Sequence, residues 1–134
     1  MNYITQITLN SPQIYRANEY GWWLQWAAAA QQSGCLSCAI MIYEEMIHQF
    51  PQEGTAFFHL SELYKQTNKP EQAIAAIEQA LQLLKPTRAQ HYVRAGNIYR
   101  WVNDLDKARQ AYQQALQDDP THQKALEALE QLSQ

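Results

Sequence analysis

Cys35 and Cys38 are the first place in this 134-residue chain where reactive side chains stand at a spacing that does chemistry. A C-x-x-C entering a helix N-terminus sets sulfur where the dipole favours a thiolate, which suits disulfide exchange or metal capture. The surroundings supply no support: there is no βαβ pattern, and no second C-x-x-C or Cys/His set completes a zinc site. The pair reads as two ordinary cysteines at a turn, with a redox or metal role as the alternative. His48, His59, His91 and His122 lack H-E-x-x-H or related ligand spacing. With four glycines in all, the chain has neither a G-x-S-x-G nor a phosphate-cradling loop. The expectation is no enzyme, no catalytic residue, no cofactor and no metal. Arg94, Asn97 and Arg100 offer a different chemistry, because their spacing places them on one face of a helix. They would donate hydrogen bonds to carboxylates, or else pair with acidic neighbours such as Glu62 or Asp104.

The elements that must position these groups repeat. From Tyr92 to Pro120 the residues Tyr92, Ala95, Gly96, Tyr99, Ala108, Tyr112, Ala115 and Pro120 follow the spacing W-x2-L-G-x2-Y…A-x3-F…P with conservative swaps. This stretch resembles a tetratricopeptide (TPR) repeat. A first helix presents Tyr92, Ala95 and Tyr99 on one face, and Gly96, lacking a Cβ, lets a second helix approach at Ala108. Stepping back 35 residues gives Phe57, Leu60, Ser61, Tyr64, Ala73, Ile77 and Ala80. A further step of 34 reaches Trp23, Trp26, Ala27, Ala30, Ala39, Tyr43 and Met46. The first copy is degenerate, as terminal repeats often are. Trp23 and Trp26 are expected inside its hairpin.

The resemblance implies an all-α, right-handed superhelical solenoid of three TPR helix-turn-helix repeats plus a C-terminal solvating helix. The expected divisions are an N-terminal extension over 1–19, repeats over 20–53, 54–88 and 89–122, and the solvating helix over 121–134. The extension starts with alternating Tyr3, Thr5, Ile7 and Leu9 and reads as extended, with a helix opening at Ser11-Pro12; whether that helix continues through Gly21 is left open. In the last helix Ala125, Leu126, Leu129 and Leu132 form an apolar stripe.

In TPR domains the first helices of successive repeats line a groove that receives a peptide or partner helix. Carried onto this chain, those positions are Leu24, Ala28 and Gln31, then Phe58, His59, Glu62 and Lys65, then Gln90, Val93, Arg94, Asn97, Arg100 and Trp101. The family's clamp for the acidic C-termini of heat-shock chaperones needs Lys, Asn, Asn, Lys and Arg where this chain has Leu24, Ala28, His59, Gln90 and Arg94. Only the last matches, so that clamp is not expected. The resemblance implies a scaffold, adaptor or assembly factor with a protein or peptide partner. Trp22, with Tyr15 nearby, is the candidate for a second interface, serving self-association or docking, unless the Ile14-Tyr15 segment covers it.

Composition sets bounds on these readings. One domain's worth of residues at 46% hydrophobic content suffices for a core shared between stacked hairpins. A net charge of −3 argues against nucleic acid, because phosphate recognition needs clustered Lys and Arg. An RNA-binding helical repeat is therefore the weaker rival. Trp22 to Ala30 is too short to span a bilayer, and no secretory signal opens the chain, so the expected location is the cytoplasm.

Overall fold

The computed structural model describes the backbone of residues 12–134 and the side chains of residues 19–134. The extended reading of residues 1–11 and the side chain of Tyr15 lie outside the described residues. The described chain is all-α, with seven helices: α1 (Pro12–Gln32), α2 (Leu36–Gln49), α3 (Gly54–Gln66), α4 (Pro70–Leu83), α5 (Ala89–Trp101), α6 (Leu105–Asp118) and α7 (Gln123–Leu132). They fall into two compact units that meet in sequence at Pro51 and Gln52. The first contains the α1–α2 hairpin; the second contains the α3–α4 and α5–α6 hairpins and α7, which packs on α6. No described helix is long and apolar enough to cross a membrane.

The hairpin turns are one device used three times. Gly34 (φ 86°), Asn68 (φ 59°) and Asn103 (φ 67°) adopt the left-handed conformation just past α1, α3 and α5. Glycine and asparagine enter that region at least cost. The next residue then donates its N–H five residues back: Cys35 to Ala30 O at 3.0 Å, Lys69 to Tyr64 O at 2.8 Å, and Asp104 to Tyr99 O at 2.8 Å. This satisfies carbonyls that the helix end would otherwise leave bare. The return helices are started locally as well. Asp104 accepts from the Lys107 N–H at 3.3 Å, and Pro70 stands at the opening of α4, where a missing N–H costs nothing.

Each hairpin closes on a pair of positions of complementary size. Gly96 faces the ring of Tyr112, and a Cβ added there would meet three ring atoms at 2.6 to 2.8 Å. The Tyr112 ring fills that approach, and Ala108, expected there, is fully buried. In the α3–α4 hairpin the same slots hold Ser61 and Ile77, and in α1–α2 they hold Ala27 and Tyr43, all buried. In α3–α4 a larger first residue, Ser61, goes with a smaller second one, Ile77, and both are fully buried, as a dense interior requires.

Trp26 departs from its expected place. It is 59% exposed, whereas Leu60 and Ala95 in the equivalent slots are buried. An indole is far larger than the Leu60 and Ala95 side chains that fill the equivalent slots. Trp26 instead sets its ring edge-on to Trp23, centroids 5.5 Å apart. Gly21 does not interrupt α1. In α7 the buried stripe is Ala125 and Ala128 with Leu129 and Leu132 half-buried, and Leu126 points outward at 42% exposure.

Candidate functional site

Within the second unit, α3 and α5 bring eight of the sequence-nominated residues onto two neighbouring rungs. On the first rung Arg94 reaches Glu62, Nη1 to Oε2 at 3.4 Å, and its guanidinium lies 5.7 Å from the centre of the Phe58 ring. Phe58 is also met edge-on by His59 at 5.9 Å and by His91 at 5.1 Å. Burial holds the His59 imidazole below its ordinary range; the Arg94 charge adds to this, and Glu62 opposes it. Burial also lowers His91. This rung is closed on itself: its cation has a carboxylate and an aromatic face.

The second rung is open. Lys65, Asn97, Arg100 and Trp101 line a pocket of about 220 Å³. No carboxylate pairs with Lys65 or Arg100 among the described residues. Arg100 donates to the neutral Gln131 Oε1 at 3.0 Å, so α7 aims its guanidinium without neutralising it. The anticipated pairing with Asp104 does not form, because that carboxylate caps α6. Asn97 is oriented from behind: the Tyr112 hydroxyl donates to its Oδ1 at 2.6 Å, leaving the carboxamide N–H groups as its remaining donors. Burial pushes the Tyr112 phenol up, with Arg100 alongside partly offsetting it. Two cations, one fixed amide and an indole wall are the groups that recognise a carboxylate next to an apolar side chain.

The other nominated residues are not part of these rungs. Val93 is buried and belongs to the core, because α5 turns that face inward. Gln90 lines a separate pocket of about 430 Å³ with Arg88, Ala89, Asp118, Asp119 and His122. In the first unit Leu24 is half-buried, Ala28 exposed, and Gln31 accepts the Tyr43 hydroxyl at 3.2 Å. Trp22 is 45% exposed. Sequence reasoning missed His91 and Gln131. Both act across helices, and neither sits at a position the repeat pattern marks. Among the described residues no group of three or more His, Cys, Asp or Glu is placed to hold a metal.

The family model for the tetratricopeptide repeat-like domain matches residues 14–133. Among curated proteins, the chain is 25% identical over 96 residues to Hsp70-Hsp90 organizing protein 2 of Arabidopsis thaliana, covering 72% of this chain and 17% of that protein. It is 30% identical over 83 residues to Tetratricopeptide repeat protein 7B of Homo sapiens, covering 62% of this chain and 10% of that one. The chain thus spans a small part of these relatives. Among solved structures, the first TPR of Spaghetti (RPAP3) bound to the HSP90 peptide SRMEEVD superposes with a TM-score of 0.79 at 18% identity, over 87% of this chain and 91% of that one. MamA superposes with a TM-score of 0.78 at 19% identity, over 96% and 72%.

Proposed function

The chain belongs to the tetratricopeptide repeat-like family, and from that premise we propose that it is a non-catalytic protein-interaction module. It holds a carboxylate-bearing peptide segment of a partner across α3 and α5. The observation that carries this reading is the pair of uncompensated cations, Lys65 and Arg100, facing one pocket with Asn97 and Trp101. Lys65 is half-buried and Arg100 exposed, so both charges are within reach of a ligand, and a bound carboxylate gains charge-assisted bonds from each. The structural relative bound to the HSP90 peptide carries a ligand rich in acidic residues, which agrees in chemistry. The residues here differ, because the one matching clamp position, Arg94, is already held by Glu62. The cellular meaning we infer is that of a cytoplasmic scaffold, adaptor or assembly factor.

The test is calorimetric titration of short peptides that end in acidic residues with a free C-terminal carboxylate, against the same peptides amidated and with the acids replaced by amides. Binding of the acidic series only, lost in a Lys65→Gln/Arg100→Gln variant of unchanged helicity, supports the reading. Equal affinity for both series, or for the variant, defeats it. A second reading rests on Trp22 and Trp26, 45% and 59% exposed on α1: aromatic anchors of this size serve docking or self-association. Sedimentation of wild type and a Trp22→Ser/Trp26→Ser variant tests it, with a concentration-dependent dimer lost in the variant as the expected result.

A further inference from the structure

The peptide reading leaves the first unit's cysteines without a role, and their setting carries an inference of its own. Cys35 and Cys38 are joined as a disulfide, Cα to Cα 5.2 Å, at the turn between α1 and α2. Cys35 is the N-cap of α2. Its sulfur receives the Cys38 N–H at 3.2 Å and lies 3.7 Å from the Ser37 hydroxyl. Cys38 is exposed and Cys35 half-buried. The two sulfurs are therefore unequal. One is open to attack, and the other sits where a helix terminus, an amide and a hydroxyl stabilise negative charge. A bond between two cysteines three residues apart closes only a very short loop, so it constrains the unfolded chain little. Stability alone does not account for it.

We propose that Cys35 and Cys38 form a reversible dithiol–disulfide site that exchanges with low-molecular-weight thiols, with Cys38 as the sulfur attacked and Cys35 as the leaving thiolate. In the first step the thiolate of a small thiol bonds to Cys38 Sγ. The Cys35–Cys38 bond breaks, and its electron pair goes to Cys35 Sγ, held by the Cys38 N–H and the Ser37 hydroxyl. In the second step another thiolate attacks the small-molecule sulfur of that mixed disulfide and releases Cys38. Two thiols are oxidised to one small disulfide, the protein disulfide is reduced to two thiols, and the two protons move from the reagents to the protein. The reverse sequence re-forms the bond. Leaving-group stability and access are the factors that govern such exchange.

The experiment uses the folded, oxidised full chain with millimolar reduced glutathione and no denaturant, acid quenching, and peptide mapping by mass spectrometry. Expected are reduction of the pair, a transient glutathione adduct on Cys38, and, in the reduced protein, alkylation of Cys35 by iodoacetamide several-fold faster than in the unfolded chain despite its lower exposure. A Cys35→Ser variant should keep the Cys38 adduct when given oxidised glutathione, because the resolving thiol is gone. The wild-type mapping decides the matter if that variant fails to fold. A bond that resists glutathione until the chain is denatured, an adduct on Cys35, or alkylation at the unfolded-chain rate would each overturn the proposal.

Discussion

The two rungs on the α3–α5 face are built from the same kinds of side chain, yet they are opposites. Each has an arginine from α5 and an aromatic ring. On one, Arg94 is consumed by Glu62 and Phe58, and two imidazoles with lowered pKa pack beside it. On the other, Arg100 and Lys65 face a pocket with only neutral partners. An arginine's place on a groove does not make it a ligand-binding group. What decides is whether its charge is already answered.

The largest expected effect separates the rungs directly. Lys65→Gln/Arg100→Gln removes two charge-assisted bonds of roughly 1.5–3 kcal/mol each when desolvated, so affinity for an acidic peptide should fall by on the order of 100-fold or more. Calorimetry reads this, and circular dichroism should show unchanged helicity. Gly96→Ala comes next. Its new Cβ would press on the Tyr112 ring, and overpacking at about 1–3 kcal/mol outweighs the ~0.5–1 kcal/mol gained in helix preference. Urea denaturation should show a lower midpoint, and peptide affinity should drop because Tyr112 no longer orients Asn97. A variant as stable as wild type would mean the ring moves aside freely.

Tyr112→Phe isolates that orientation. Losing the bond to Asn97 should cost about 0.5–1.5 kcal/mol of stability and weaken peptide binding several-fold, whereas a change on the closed rung should not. Arg94→Gln is the counterpart. Its ion pair is half exposed, so stability should change by ~0–1 kcal/mol and acidic-peptide affinity by less than threefold. A loss comparable to that of the double variant would erase the distinction between the rungs.

The smallest effect is on titration. His59 is lowered first by burial and then by Arg94, so the folded chain binds its proton less readily than the unfolded chain does. Stability is then fully present above the ordinary imidazole value near 6.5 and is lost as pH falls from there through the folded value. Thermal melts across that window should show the decline, and NMR titration of Arg94→Gln should move His59 upward. No upward movement would place Arg94 too far away to matter.

The hairpins were legible because their causes are local and periodic. Gly34, Asn68 and Asn103 take the left-handed conformation that follows α1, α3 and α5, and Ala108, Ala115, Ala73 and Ala80 mark buried slots by size alone. Trp26 was misplaced because a slot that buries Leu60 or Ala95 leaves an indole largely exposed, and the repeat spacing does not report how much room the slot has. His91 was passed over, and Val93 was put on the groove, for a related reason: one turn of α5 separates core from surface, and side-chain direction there is set by what α3 and α4 present. The open rung was half legible. Lys65, Asn97, Arg100 and Trp101 were nominated, but Gln131, 31 residues from Arg100, was not.

By itself the sequence determined the all-α class, the repeated slots of each hairpin and the absence of any H-E-x-x-H or G-x-S-x-G pattern. These follow from backbone conformational preference and from side-chain volume repeated at a fixed step. Only the tertiary structure decided which cation is neutralised, which amide is fixed and which tryptophan faces out. Those outcomes depend on distances of a few ångströms between side chains from different helices, and Coulomb and hydrogen-bond energies change steeply over that range.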